Sequence, residues 1–143
     1  MKIFIASDHA AFNEKNILVE YLKKKYEVID LGPSSSASTN YPEWVKVLVE
    51  NVKKEKTLGI LLCGSGIGVS MAANRYKDIR AALCRDEDDA KMSRLHNNAN
   101  VLCLSGRKTP LDMIFKITDT FLSTSFEGGR HQIRVDQFNL LGE

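Results

Sequence analysis

Short apolar runs alternate with segments of helical spacing along the whole chain. The apolar runs predict five strands, and apolar residues recur at intervals of three and four in the segments between them, as in amphipathic helices. The predicted strands are 2–6, 26–31, 58–63, 79–84 and 101–105. The predicted helices are 13–25, 42–52, 66–74, 86–95, 112–122 and 131–140.

Regular alternation of strand and helix, with short connections, predicts a parallel sheet covered on both faces. The expected fold is an α/β protein, a three-layer α/β/α sandwich with a five-stranded parallel, Rossmann-like sheet and a C-terminal helix. We expect one domain over residues 1–143. In the first helix, the spacing predicts an apolar face that includes Ile17 and Leu18, with Lys23, Lys24 and Lys25 in the last turn.

Charge and composition exclude several classes of function. The net charge of +2, from 20 Lys and Arg against 18 Asp and Glu, is too small for a nucleic-acid surface. No apolar stretch approaches the length that spans a membrane, and the N-terminus runs directly into a predicted strand rather than a signal peptide. We therefore expect a cytoplasmic protein with neither nucleic-acid nor membrane partners.

The three cysteines, Cys63, Cys84 and Cys103, lie at or near the ends of apolar runs. Their odd number favours free thiols in a reducing compartment over a disulfide framework. No pair has the spacing of zinc ligands, so no metal site is expected.

The segment 63–68, Cys-Gly-Ser-Gly-Ile-Gly, ends the third strand and begins a helix. Backbone N–H groups at such a turn favour an anion, and the positive end of the helix favours thiolate over thiol at Cys63. Three common phosphate-binding loops are excluded, because residues that they require are missing. A dinucleotide fingerprint needs glycine and a cysteine phosphatase needs arginine where Val69 stands, and a P-loop needs a Lys-Ser/Thr pair that is absent. A small anion or a polar sugar stays compatible with this loop.

Ligands of parallel sheets bind beyond the carboxyl ends of the strands. Asp8-His9, the 63–68 loop and Ser105–Arg107 fall at those ends. His96-Asn97 precedes the fifth strand and should lie at the opposite edge. Either the preceding helix carries it elsewhere, or it serves the site of a second subunit.

Each candidate residue also has an ordinary structural explanation. Cys63 is as compatible with a buried strand end as with a reactive thiol. Arg130 and Arg134 lie one helical turn apart and suit a phosphate dianion, but a solvated face or an interface ion pair explains them equally well. A thiol, two histidines, an anion-friendly loop and paired arginines are more informative in combination than any one of them alone.

The sequence resembles the ribose-5-phosphate isomerase B family, which also includes the galactose-6-phosphate isomerase subunits. The resemblance runs through the whole chain, and the combination of the Cys-Gly loop with the His-Asn and Gly-Gly-Arg-His segments is specific. The matching residues are Ser7–Ala10, Lys15, Asn40–Pro42, Cys63–Gly68, Ala72–Asn74, Ile79–Ala82, Ser93–Asn97, Asn100–Leu102, Arg107, Glu127–His131 and Arg134.

The resemblance implies an aldose–ketose isomerase that interconverts ribose 5-phosphate and ribulose 5-phosphate through an enediolate, without metal or organic cofactor. It implies that Cys63 is the base and that Ser65 and His96 open the sugar ring. The backbone of Gly64, Gly66, Ile67 and Gly68 would hold the oxyanion. The remaining implied contacts are Asp8 and Asn97 with the sugar hydroxyls, Tyr41 in the pocket wall, and His9, Arg107, Arg130 and Arg134 with the phosphate.

The resemblance further implies a homodimer or homotetramer in which a neighbouring subunit supplies His96, Asn97 and Arg107 to a shared site. Some positions depart from the usual family residues, namely Ala11, Asn13-Glu14, Asn98 and Ser105-Gly106. None of them removes a proposed catalytic group, but Ala11 and Ser105-Gly106 affect the expected sugar. The alternatives are an isomerase of a six-carbon sugar phosphate, such as allose or galactose 6-phosphate, and a non-catalytic sugar-phosphate-binding domain.

Overall fold

Five parallel strands form the sheet in the computed structural model, which describes residues 1–142. They are β1 (Lys2–Ser7), β2 (Glu27–Gly32), β3 (Leu58–Cys63), β4 (Ala81–Leu83) and β5 (Val101–Ser105). Their order in space is β2-β1-β3-β5-β4, and every neighbouring pair is parallel. The predicted five-stranded parallel sheet is confirmed.

The helices between and after the strands cover both faces of this sheet. Within residues 1–142 they are α1 (Phe12–Leu22), α2 (Tyr41–Glu55), α3 (Ile67–Ala73), α4 (Glu87–Leu95), α5 (Leu111–Ser123) and α6 (Arg130–Gln137). Apolar residues of α1, α4 and α5 form one core with one face of the strands, and those of α2 and α3 form a second core on the other face. The predicted α/β/α layering is therefore confirmed.

Adjacent strand residues enter opposite cores, as in any sheet that is buried on both sides. Ile3 and Ile5 of β1 pack in the core that contains α1, whereas Phe4 and Ala6 pack in the core that contains α2. The chain leaves β1 through α1 towards β2, and α2 returns it across the other face to β3. The carboxyl ends of β1 and β3 thus meet at a topological switch point, where sheets of this kind bind ligands.

The fourth strand is shorter than predicted. At its start, side-chain amides form hydrogen bonds with the backbone of the chain. The carbonyl oxygen of the Asn100 side chain accepts from Arg80 N–H at 2.8 Å. Asn74 accepts from Ala81 N–H at 2.8 Å and donates to Ala81 O at 2.9 Å. Arg80 N–H is thus bound to a side chain, and β4 begins at Ala81, so Ile79 and Arg80 lie outside it.

The first helix also departs from the prediction. Ile17 is 43% exposed, while Lys15 is fully buried among the apolar residues of the same helix. Lys15 Nζ lies 2.9 Å from both carboxylate oxygens of Asp30 and donates to Pro33 O at 2.7 Å, so its charge is paired. The helix ends at Leu22, which leaves Lys23–Lys25 outside its last turn.

The C-terminal helix covers Arg130–Gln137, and a 3-10 turn follows at Phe138–Leu140. In the described part of the chain, every helix is too short or too polar to traverse a lipid bilayer.

Candidate active site

A cavity of about 540 Å³ opens at the switch point, beyond the carboxyl ends of β1 and β3. Most of the site residues expected from the sequence line it. These are Asp8, His9, Tyr41, Cys63, Gly64, Ser65, Ile67, Gly68 and Arg107, together with Ala10. Gly66 lies behind them, as the buried residue that begins α3.

Cys63 is the last residue of β3, and its side chain closes the bottom of this cavity. The residue is 4% exposed, and Gly66 N–H donates to its sulfur with an N···S distance of 3.1 Å. A donor aimed at sulfur stabilises negative charge on it. Cys63 therefore combines access to the cavity with support for a thiolate.

The other two cysteines lack these conditions. Burial raises the pKa of Cys84 to about 12, with smaller opposing and reinforcing effects from Ser93 and Asp89. Burial also raises the pKa of Cys103 well above the ordinary range. Both thiols stay protonated at neutral pH, so Cys63 is the cysteine suited to proton transfer.

Gly66 lets the chain turn from Cys63 into α3. Its φ is +76°, in the left-handed region that favours glycine. A methyl group there would lie 2.5 Å from Leu83 Cδ1 and 3.0 Å from the Leu104 carbonyl carbon. Backbone conformation and crowding both require glycine where the amide meets the thiol.

These constraints predict how Gly66→Ala compares with Gly128→Ala. Gly128 has φ +72°, and no described atom lies within 4 Å of the position of an added Cβ. Gly128→Ala should lose about 1–2 kcal/mol of unfolding free energy from backbone strain alone. Gly66→Ala should lose a further ~1–3 kcal/mol from overpacking. Urea unfolding of both variants measures the difference, and equal losses would show that the core around Leu83 absorbs the methyl group.

His9 is oriented by the loop that precedes α2. Thr39 N–H donates to His9 Nδ1 at 3.1 Å, which requires a lone pair on Nδ1. The proton of a neutral ring is then on Nε2, so that nitrogen is a donor. Lys15 holds the start of the same loop through Pro33 O. Neither Thr39 nor the anchoring role of Lys15 was found from sequence, because both depend on contacts between distant segments.

Asp8 is fixed at the end of β1. Its backbone N–H donates to Leu62 O at 3.1 Å, and its Oδ1 accepts from Ala11 N–H at 3.2 Å, capping a 3-10 turn at His9–Ala11. The carboxylate is thereby held beside the end of β3. This position suits it for accepting hydrogen bonds from sugar hydroxyls.

Ser65 and Ile67 are joined at the mouth of the cavity. Ile67 N–H donates to Ser65 Oγ at 3.1 Å. The hydroxyl proton of Ser65 stays available to donate, because Oγ acts as the acceptor in that bond.

Tyr41 lies against the first turn of α3. A methyl group on Gly68 would come within 2.7 Å of the Tyr41 ring. Glycine at position 68 is therefore what allows the ring to form this wall of the cavity.

Arg107 lies over Gly64 in the same chain. Its N–H donates to Gly64 O at 3.1 Å, and its Cδ and Nη1 would each lie 3.3 Å from a methyl group placed on Gly64. The expectation that a neighbouring subunit supplies Arg107 is therefore wrong. The backbone hydrogen bond joins the loops after β3 and β5 and positions the guanidinium over the chain's own cavity.

The remaining expected residues form a second group around the end of α4 and the start of α6. The rings of His96 and His131 are stacked with centroids 4.2 Å apart and planes inclined by 17°. His96 Nε2 lies 3.8 Å from Glu127 Oε2. Asn97 is exposed next to His96, and Arg130 and Arg134 are exposed on α6, where Arg134 Nη1 donates to Arg130 O at 3.3 Å.

The chain does not bring these two groups together. Cys63 is level with Ser105 at the carboxyl end of β5, whereas His96 precedes Val101 at the other end. Four residue steps along a strand span about 13 Å, far beyond the distance for proton transfer of ~3 Å. The topological mismatch expected from the sequence is thus present in the fold.

A larger cavity, about 620 Å³, lies at the opposite edge of the sheet, near Met1, Leu58 and Asn100. The two arginines that line it are bound to backbone oxygens. Arg80 Nε donates to Asn98 O at 2.7 Å, and Arg94 Nε donates to Thr124 O at 3.0 Å. Burial lowers the pKa of both arginines. These contacts explain the cavity as a structural feature, and the thiol-containing cavity remains the candidate active site.

Comparison with known proteins matches residues 3–138 to the Ribose/Galactose Isomerase family. A probable ribose-5-phosphate isomerase B of Mycoplasma genitalium is 50% identical over 139 residues, covering 94% of this chain and 91% of that protein. The crystal structure of a ribose 5-phosphate isomerase from Thermotoga maritima has a TM-score of 0.95 and 49% identity, over 98% of each chain. The structure of the Mycoplasma genitalium enzyme with bound ribulose-5-phosphate has a TM-score of 0.93 and 48% identity, over 97% of this chain and 94% of that one.

Proposed function

The chain belongs to the Ribose/Galactose Isomerase family, and we propose that it interconverts D-ribose 5-phosphate and D-ribulose 5-phosphate with Cys63 as the base. The observation that carries the proposal is the Cys63 thiol, held by Gly66 N–H in a cavity that also contains His9 and Arg107. Relatives of nearly half-identical sequence carry the name of this enzyme, and one was crystallised with ribulose-5-phosphate. We assign the activity to one domain over residues 1–143.

The substrate is bound at its two ends. The phosphate is an anion, and Arg107 and the Nε2 donor of His9 offer it charge and a hydrogen bond from within the cavity. Asp8 accepts hydrogen bonds from the sugar hydroxyls. Binding energy from this non-reacting end places the carbonyl end against Cys63.

Ring opening precedes isomerisation. The hydroxyl proton of the cyclic sugar must leave O1 while the ring oxygen gains a proton. Ser65 donates its proton to the ring oxygen as the bond between that oxygen and C1 breaks, and His96 takes the O1 proton and returns a proton to Ser65. The product of this step is the open-chain aldehyde.

Proton transfer then converts aldose to ketose. The Cys63 thiolate takes the proton from C2, and the electrons of that bond move through C1 to O1, which forms an enediolate. Backbone N–H groups in the 64–68 loop hold the developing oxyanion; Gly68 lies in the first turn of α3, where N–H groups lack intrahelical partners. The Cys63 thiol returns the proton to C1 while the O2 proton moves to O1, so that the products balance.

We propose that the active site is shared in a homodimer, or in a tetramer built from such dimers. The acid–base and phosphate groups His96, Asn97, Arg130 and Arg134 lie apart from the chain's own cavity, so a second copy must supply them. Exposed apolar side chains flank both groups: Met71 of α3 is 67% exposed, and Ile133, between the two arginines, is 66% exposed. Burying these side chains would favour association of the two surfaces.

The state of the cysteines supports a cytoplasmic location. All three cysteines are free thiols, and Cys63 must stay reduced to act as the base.

Turnover on sugars of different length tests the substrate. We expect ribose 5-phosphate to have a kcat/KM at least about tenfold above that of allose 6-phosphate, because a pocket fitted to five carbons loses binding energy when it must admit one more. Galactose 6-phosphate is the second comparison substrate. A preference for either six-carbon phosphate would overturn the ribose assignment and leave the isomerase chemistry intact.

A further inference from the structure

Three metal-ligating side chains converge beside the proposed acid–base residue. One ligand atom from each of His96, Glu127 and His131 lies within 4.8 Å of the others. The three residues come from different parts of the fold: His96 caps the C-terminus of α4, Glu127 lies between α5 and α6, and His131 lies in the first turn of α6. Two imidazoles and one carboxylate are a donor set that zinc accepts, with the fourth position left to water.

His131 is an unusual residue in this cluster. It is 7% exposed, and its Nε2 is buried without a hydrogen-bond partner among the described residues. Buried ring nitrogens of histidine are normally paired, so this nitrogen is free to meet a ligand. Neither α6 nor the loop before it offers a hydrogen bond to His131 Nε2.

The carboxylate of Glu127 favours a cation at this cluster. Glu127 contributes the one negative charge of the cluster, and it opposes the repulsion that Arg130 and Arg134 exert on a cation.

Small side-chain movements would complete the coordination. Zinc bonds of 2.0–2.2 Å require the three ligand atoms to approach one another more closely than 4.8 Å. The two rings are stacked with planes inclined by 17°, so they must turn towards one point to share an ion. The side chains of His96 and Glu127 are 37% and 50% exposed, and Glu127 lies in a loop, so both have room to rotate.

We propose that His96, Glu127 and His131 form an inhibitory site for Zn²⁺ or a similar divalent transition-metal ion. A metal ion bound to His96 occupies a lone pair that the imidazole needs to accept a proton. Occupancy therefore removes His96 from the active site and stops ring opening. This inhibition rests on the proposed role of His96, whereas the metal site itself does not.

Metal binding and isomerase activity are measured separately on the whole protein. Calorimetry with Zn²⁺ alone should give one ion per chain, and ribose 5-phosphate turnover should fall as this site fills and return after chelation. Glu127→Gln should weaken Zn²⁺ binding by at least about tenfold, since it removes the anionic ligand. Glu87→Gln, an exposed glutamate on α4, is the matched control and should bind like the parent protein.

Co²⁺ alone distinguishes this site from the Cys63 cavity. Coordination by two histidines and a carboxylate gives visible d–d absorption without the near-ultraviolet charge-transfer band of a cobalt thiolate. A thiolate band, or equal affinities of the parent and Glu127→Gln proteins, would overturn the proposed site. Full activity with the site occupied would overturn the inhibition. A metal-free protein that binds Zn²⁺ at this site but isomerises no sugar would instead overturn the proposed function.

Discussion

Cys63→Ala is expected to lower kcat for ribose 5-phosphate isomerisation by about 10²–10⁴-fold, the usual contribution of a positioned general base. The thiol is the group that Gly66 N–H supports at the end of β3, and it faces the cavity that holds His9 and Arg107. Alanine removes the base but leaves these phosphate-binding groups in place. Inorganic phosphate affinity should therefore survive the substitution.

The measurement is exchange of the C2 proton of ribose 5-phosphate with deuterated solvent, followed by NMR. Exchange should collapse together with turnover in Cys63→Ala, because both need removal of the same proton. Cys84→Ala is the matched control: Cys84 is a buried cysteine that follows β4, and its pKa is raised to about 12, so its loss should leave exchange unchanged. Unchanged exchange in Cys63→Ala would show that another group is the base.

Hydrophobic periodicity in the sequence predicts the layers of this fold, but it does not predict where every strand begins and ends. The strands 58–63 and 101–105 were predicted to the residue because each is a continuous apolar run that is buried on both faces. The predicted fourth strand is too long at its start, where Arg80 N–H bonds to the Asn100 side chain and β4 begins only at Ala81, and a side-chain bond of this kind leaves no periodic signal. The burial of Lys15 is not predictable for a similar reason, since its carboxylate partner Asp30 lies on β2, in another element.

The candidate site also contains residues that topology predicts and contacts that the sequence pattern does not predict. Residues next to strand ends, such as Asp8 and Cys63, could be placed from topology, because parallel strands present their carboxyl ends at one edge. The tautomer of His9 depends on an amide 30 residues away, and the contact of His131 with His96 depends on how α6 returns to α4. Such contacts between elements follow from packing, which no local pattern encodes.

Mixing Cys63→Ala with His96→Ala protein is expected to restore activity that neither variant has alone. In a shared site, Cys63 of one subunit acts with His96 of the partner subunit. A dimer with one chain of each kind therefore has one intact site and one site that lacks both groups. Random exchange of equal amounts makes half of the dimers mixed, so about a quarter of the parent activity should return.

The alternative arrangement makes the opposite prediction. If each chain completed its own site, every site in a mixed dimer would lack one group, and no activity would return. The structure favours the shared arrangement, because Cys63 lies level with the carboxyl end of β5 and His96 precedes the other end, a strand length of about 13 Å. Subunit exchange must be verified independently, for example by native mass spectrometry of differently tagged variants, and a control mixture of Cys63→Ala with Ser65→Ala should stay inactive. Ser65 and Cys63 line the cavity of the same chain, so every site in this control mixture lacks one of the two groups. Recovery in the His96 mixture without recovery in the Ser65 mixture is the result that only a shared site produces.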